Sequence, residues 1–412
     1  MKVSIVSITF SRDEGGAVGI AYDQAVELKK NNYDVSVFCG TYQNDSGWFN
    51  DSGISVRKIK ISHSRHLFRQ YICLRNFKVE KEFVNYLKKE KPEIVHFNDL
   101  YYQLPFSLIK IARSYAKKVF FTAHDVMTIC PVKLNHFVNS KYNIYNIKDV
   151  NYHLTLKHQI LYNKKAFNPL RNIIIRHYLR YADKIFCVSE ELKKALVQNK
   201  IKNIEVVHNG LDIEKWDVDP VKVNFLKKQK KLIDKKIILF AGRLSGNKGG
   251  HLMVDMMKTV RNEIPGAIML VLGERSAYTE QMKNYAVDKN VADKIIFNGH
   301  VPRSEMKNYY GLCDIVVVPS AYLDPFPTVN LEAMICRKPV IASCFGGSRE
   351  AVNDGKTGLI VNALNSKALS EAITRLLSTP EICRRMGGEG NKLIKEKFTL
   401  ARQIKKIVNF YG

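Results

Sequence analysis

The chain has 412 residues, of which 46% are hydrophobic and 10% aromatic, and its 65 Lys and Arg against 39 Asp and Glu leave a net charge of +26. At ~100–200 residues per domain this length predicts two or three domains with sizeable cores, which excludes a chain disordered throughout. No apolar run reaches the ~18–20 residues that span a bilayer, Met1–Phe10 reads as neither a signal peptide nor a spanning helix, and the eight cysteines show neither C-x-x-C pairs nor zinc spacing. The expectation is a reduced, cytoplasmic protein with no disulfide framework and no metal site.

In chain order, short β-branched runs alternate with helix-like segments, the pattern of strands buried on both faces of a parallel sheet. The first half carries Val3–Thr9, Asp34–Cys39, Ile54–Ile61, Ile94–Phe97, Val119–Thr122, Ile185–Val188 and Ile204–Val207. The second half carries Ile237–Ala241, Ile268–Leu272, Ile295–Phe297, Ile315–Val318, Val340–Ser343 and Leu359–Val361. The pattern predicts two consecutive α/β domains. Between them, a charged stretch with Pro220 and no strand pattern reads as a linker, placed at 216–235. The segment Pro131–Arg180, rich in Tyr, Asn, His and Lys, is the least regular and reads as a helical insertion facing a partner.

The charge is unevenly spread. Residues 51–200 hold 28 Lys and Arg against 11 Asp and Glu, a net +17, whereas residues 1–50 hold 4 against 6. Such a stretch suits nucleic acid, anionic lipid or a phosphorylated substrate, or is simply a solvated basic surface.

In open parallel sheets ligands bind beyond the carboxyl ends of strands, so loops there are the places to look. After the first strand comes Arg12-Asp-Glu-Gly15-Gly16-Ala-Val-Gly19, where glycines let a ligand approach the backbone and a helix start offers amides to an anion. It is not G-x-G-x-x-G, so no dinucleotide site is indicated. The second half opens Gly242-Arg243-Leu-Ser-Gly-Asn-Lys248-Gly-Gly, two cations on a glycine-rich loop before a helix, which suits a diphosphate. Further on, Asp324-Pro-Phe326-Pro327-Thr328-Val329-Asn-Leu-Glu332 sets two carboxylates eight residues apart around a helix start. Taken alone, that pair is equally a helix cap and a surface residue. Asp217-Val-Asp219 sits in the charged linker rather than at a strand end and is not read as a metal motif.

Together these residues resemble the retaining, nucleotide-sugar-dependent glycosyltransferases of the GT-B type, specifically glycosyltransferase family 4. The acid-x7-Glu motif looks like Asp324 to Glu332, the donor loop like Gly242, Arg243, Lys248 and Gly249, and the Gly-Gly-x-x-Glu turn like Gly346 to Glu350. Val188-Ser-Glu190, His208 to Asp212 and His124-Asp125 with Cys130-Pro131 also match. The resemblance implies two Rossmann-like doubly wound parallel-sheet domains facing a cleft. Residues 1–215 would be the acceptor side, 236–395 the donor domain, and 396–412 a helix returning to the first domain.

By the same resemblance, Arg243 and Lys248 would hold the donor diphosphate, helped by Gly15, Gly16 and the backbone from Phe326 through Pro327 and Thr328 to Val329. Glu332 would hold the ribose, Val301 the base through its backbone, and Asp324 and His124 the transferred sugar. One departure is that the family's usual first acid is Glu. The implied reaction is metal-independent, retaining transfer of a hexose from a nucleotide diphosphate sugar to a glycan or lipid-linked acceptor in cell-surface glycan synthesis, without a cofactor. The basic 51–200 stretch would face the acceptor and an anionic membrane, with the protein peripheral on its inner face. The alternatives are a glycan-binding protein weak in catalysis and a nucleic-acid-binding protein, the latter leaving the acidic pair unexplained.

Overall fold

The computed structural model describes residues 1–65, 67–147 and 149–412 in full. The chain forms two compact units, one of residues 1–134, 151–210 and 400–412, the other of residues 135–150 and 211–399.

The first unit is built on eight strands: β1 (Lys2–Ser7), β2 (Asp34–Thr41), β3 (Gly47–Asp51), β4 (Ile54–Lys60), β5 (Ile94–Asn98), β6 (Lys118–Ala123), β7 (Lys184–Cys187) and β8 (Ile204–Val206). Their order is β3-β4-β2-β1-β5-β6-β7-β8, parallel except for β3. The seven runs read from sequence all appear as strands. β3 escapes that reading because it is an exposed, antiparallel edge strand, so burial imposes no apolar pattern on Gly47–Asp51. Its signal is the turn instead: Ser52 and Gly53 both have positive φ (53° and 77°), the two-residue hairpin geometry that a Ser-Gly pair supplies. The last helix, Leu400–Tyr411, puts Leu400, Ile404, Ile407 and Tyr411 into the core beside Val3, Ile5 and Leu28, on the helical spacing that makes one apolar stripe.

The second unit carries β9 (Lys236–Ala241), β10 (Ala267–Leu272), β11 (Ile295–Gly299), β12 (Ile315–Val318), β13 (Val340–Ser343) and β14 (Gly358–Val361). They form an all-parallel sheet in the order β11-β10-β9-β12-β13-β14. In each sheet the winding reverses beside one strand, β1 in the first and β9 in the second, which opens a crevice at the carboxyl end of that strand.

Two details differ from the contiguous domains expected from sequence. Residues 135–150 cluster with the second unit: Asn135 Nδ2 donates to Asn247 Oδ1 at 3.3 Å and Asn362 Nδ2 to the Asn139 and Tyr142 carbonyls at 2.9 and 2.6 Å. With no strand there, strand rhythm carries no information about where it packs. The expected linker 216–235 contains the helix Pro220–Gln229, packed on the helix Arg303–Leu312 of the same unit. Asp219 caps it, Oδ1 accepting from the Val221 and Lys222 amides at 2.9 and 3.2 Å, so this carboxylate of the Asp-x-Asp triplet serves a helix end.

Candidate active site

In the second unit the glycine-rich loop Gly242–Gly249 leaves β9 and runs into the helix Gly250–Glu263, which has neither a side-chain cap nor an acid in its first turn. Lys248 stands near the end of that loop. Its Nζ lies 2.6 Å from Asp324 Oδ2, and Ser320 Oγ donates to the same oxygen at 2.7 Å. Asp324 is 4% exposed, and the neighbouring Tyr322 ring lies 5.3 Å from the Lys248 ammonium. The two loops are also joined through the backbone, where Ala321 N donates to the Asn247 carbonyl at 2.7 Å. The residues named separately from sequence as phosphate cation and sugar acid thus meet as an ion pair at the switch point beside β9. Arg243 is exposed on the same loop, and no described carboxylate lies within ion-pair distance of it.

Asp324 is held by the turn after β13. Its carbonyl accepts from Gly347 N at 2.9 Å, and Asp324 pairs with Gly346 in an isolated parallel bridge. Gly346 has φ +89°, and a Cβ there would stand 2.2 Å from the Asp324 carbonyl oxygen. The Gly-Gly turn is therefore the support on which the Asp324 loop rests.

Phe326 and Pro327 lead into the helix Thr328–Ile335, which has no side-chain cap, so the amides of Thr328 and Val329 are left for an anion. Phe326 is buried against Phe398, ring centroids 5.7 Å apart. Glu332, one turn into that helix, is no surface residue: it is 7% exposed and accepts from the Tyr310 hydroxyl at 2.7 Å. Burial, and then the Glu332 carboxylate, push the Tyr310 phenol well above its ordinary pKa, keeping it a donor. Val301 follows the edge strand β11, two strands from β9. Tyr310 and Ser320 were not legible as partners of the acids. A lone Tyr in a helix carries no signal, whereas Ser320 at the start of a strand-end loop carries a weak one.

In the first unit Gly15 and Gly16 precede the helix Gly16–Lys30 at the carboxyl end of β1, and a Cβ at either position would meet nothing within 4 Å. His124 follows β6 directly. Its Nε2 lies 3.0 Å from Asn98 Oδ1, Asn98 Nδ2 donates to Gln24 Oε1 at 2.9 Å, and Gln24 Nε2 stands 3.0 Å from His96 Nδ1. His96 Nε2 lies 2.7 Å from Thr122 Oγ1, and the Tyr411 hydroxyl 2.7 Å from His96 Nδ1. Because Asn98 offers its carbonyl oxygen, His124 donates through Nε2 and keeps Nδ1 as an acceptor. That Nδ1 is buried with no described partner, a lone pair suited to a hydroxyl. His96, read from sequence as either facing an acceptor or structural, is fully buried inside this chain of bonds and is structural.

Burial keeps both imidazoles neutral, pushing His124 down to about 4 and His96 down to about 3, the latter with help from His124. The unfolded chain protonates each near the ordinary 6.5, so between about pH 6.5 and 4 it binds more protons than the fold and stability falls as pH falls, by up to about 1.4 kcal/mol per pH unit per proton. Asp99, whose Oδ1 accepts from the His124 amide at 3.0 Å, is raised well above the usual carboxyl range by burial and by Asp125. A proton that the fold holds on Asp99 above the ordinary carboxyl range acts in the opposite direction and offsets part of that loss. The melting temperature should therefore fall from pH 6.5 to 4, and more steeply in Asp99→Asn. A flat profile in both proteins would refute two buried neutral histidines.

Two doubly wound α/β units with glycine-rich loops and acids at their switch points define the GT-B class of glycosyltransferase folds. The description Glycosyltransferase Family 4 matches residues 14–215, and Glycosyl transferases group 1 matches residues 223–393. The chain belongs to glycosyltransferase family 4.

It is similar to the putative glycosyltransferase YtcC of Bacillus subtilis, 29% identical over 243 residues, 55% of this chain and 59% of that protein. It is also similar to a GDP-mannose-dependent alpha-(1-6)-phosphatidylinositol monomannoside mannosyltransferase of Mycolicibacterium smegmatis, 28% identical over 193 residues, 45% and 50% of the two chains. The matched stretches span between half and three-fifths of these curated relatives. Among solved structures, sucrose-phosphate synthase of Thermosynechococcus elongatus superposes with a TM-score of 0.78 at 19% identity, covering 100% of this chain and 98% of that one. HepE of Anabaena in complex with UDP superposes with a TM-score of 0.72 at 17% identity, covering 100% and 99%.

Proposed function

We propose that the protein transfers a hexose, with retention of anomeric configuration and without a metal, from a nucleotide diphosphate sugar to a glycan or lipid-linked acceptor in cell-surface glycan synthesis. The observation that carries this reading is the convergence of Lys248, Asp324 and the uncapped helix starts on one crevice beside β9. Departure of a sugar from a diphosphate concentrates negative charge on the leaving phosphate, and prepositioned cations and amides stabilise that charge directly. Arg243 and Lys248 would supply the cations, leaving no task for a metal. Glu332, held by Tyr310, would accept from ribose hydroxyls, and Asp324 and the His124 Nδ1 would accept from sugar hydroxyls. The leaving phosphate oxygen would take the acceptor proton as the new bond forms on the face the phosphate leaves, so this reading requires no dedicated side-chain base. The reading puts the enzyme in the cytoplasm.

The nucleotide is read by a thermal-shift panel of UDP-, GDP- and ADP-sugars, because a ligand that binds only the folded state raises the melting temperature. UDP comes first because HepE was solved with UDP, and GDP next because the mycobacterial relative is named for GDP-mannose. One nucleotide series should stabilise the protein without divalent cation and lose its effect in Lys248→Ala. No shift with any of the three at millimolar concentration would overturn the reading.

A further inference from the structure

We propose that the first unit docks on an anionic lipid surface through one face formed by the helix Leu156–Asn163, the turn Lys164–Ala166, the start of the helix Arg171–Leu179 and the turn His66–Phe68. The helix Leu156–Asn163 leaves its aliphatic residues uncovered. Leu156, Ile160 and Leu161 are 61%, 47% and 64% exposed, while only the last residue of the helix, Asn163, is buried. Leu170, Ile173, Leu67 and Phe68 are likewise exposed. The two stretches abut, because the turns His66–Phe68 and Lys164–Ala166 pack together and Asn168 Nδ2 donates to the Gln70 carbonyl at 3.4 Å. Isolated exposed apolar residues need no explanation, but a group of this size does.

Charge selects the occupant. From Val150 to Ala182 the chain has six Lys and Arg and no acid, and from Ile61 to Val79 four and no acid. Lys157, Lys164 and Lys165 are exposed, and no described carboxylate lies within ion-pair distance of them. A second copy of the chain would press like charges together across a two-fold axis, so self-association is disfavoured. Nucleic acid would find basic groups, but the exposed apolar residues here are mainly aliphatic, Leu67, Leu156, Ile160, Leu161, Leu170 and Ile173 against the rings of Phe68 and the adjoining Tyr71, which suits stacking poorly. Aliphatic residues interleaved with lysines on short helices are what an interface of acyl chains and anionic headgroups accommodates, the leucines entering the boundary and the lysine stems reaching back to phosphate. No described helix is long and apolar enough to cross a membrane, so the attachment is peripheral.

The test is flotation of the full chain with phosphatidylglycerol-containing and with pure phosphatidylcholine vesicles, at low and moderate salt, and it needs neither donor nor acceptor, so its outcome is independent of the transfer reaction. We expect binding to the anionic vesicles only, weakened but not abolished by salt. Leu156→Glu with Leu161→Glu should lower the partition coefficient at least about tenfold per leucine, and Lys164→Gln with Lys165→Gln should do so at low salt, with melting temperatures unchanged because all four side chains are exposed. Absence of flotation at both salts, or flotation untouched by both double variants, overturns the proposal. So would a concentration-dependent dimer, or binding to an acidic protein in place of vesicles, that is lost in those variants.

Discussion

Replacement of Lys248 by Ala should lower kcat/KM for the nucleotide sugar by about 10²–10³-fold, the cost of removing one preorganised donor from developing negative charge. Part of that loss could arise indirectly. Lys248 also neutralises Asp324, whose side chain is 6% exposed, and a carboxylate left at such a site without its cation destabilises its surroundings. The Lys248 side chain is 30% exposed, so water moderates the cost, and Ser320 still donates to Oδ2. The two effects separate with Asp324→Asn, alone and combined with Lys248→Ala. A nucleoside diphosphate without its sugar should bind Asp324→Asn almost as well as wild type and bind both Lys248 variants weakly. If the double variant recovered nucleotide affinity, Lys248 would be a structural partner of Asp324. If Lys248→Ala kept donor affinity and rate within a few-fold, the assignment of the diphosphate to this loop would fail.

How much of this was legible depended on burial. Strands buried on both faces are mostly apolar and β-branched, so Val3 to Ser7, even with the buried Ser4 and Ser7, or Ile315 to Val318 announce themselves. Gly47–Asp51 faces solvent, and its pattern is free. The candidate residues could be picked out because ligands bind beyond strand ends in a parallel sheet, and Gly242–Gly249 and Pro319–Glu332 set glycines, cations and acids there. Their mutual arrangement was not legible. Nothing in the sequence links Lys248 to Asp324 across 76 positions, or Tyr310 to Glu332 across 22. The chain from Tyr411 through His96, Gln24 and Asn98 to His124 joins four elements, and each member alone reads as an ordinary polar residue.

Gly346→Ala should be among the most damaging single-methyl changes in the protein, although no ligand role is assigned to that residue. At φ +89° any L side chain is strained by roughly 1–3 kcal/mol, and here the added Cβ also lies 2.2 Å from the Asp324 carbonyl oxygen and 2.7 Å from its amide nitrogen. Reaching ordinary contact near 3.4 Å requires that backbone to move by about 1 Å, and it cannot move alone. The Asp324 carbonyl bonds Gly347 N, and the Asp324 carboxylate carries the Lys248 and Ser320 bonds. A displacement of about 1 Å in a positioning group is enough for about 10²-fold in rate. We therefore expect kcat to fall by about that factor, together with a melting temperature lower by several degrees.

Gly16→Ala is the control, since its φ of +63° carries the same kind of strain but its Cβ would enter open space. Stability should fall by only about 1 kcal/mol there, so any larger loss of donor affinity at Gly16 reports the close approach of a ligand. Should Gly346→Ala keep wild-type kcat while losing stability, Asp324 would not be positioned by this turn but by its side-chain contacts, those to Lys248 and Ser320 among them.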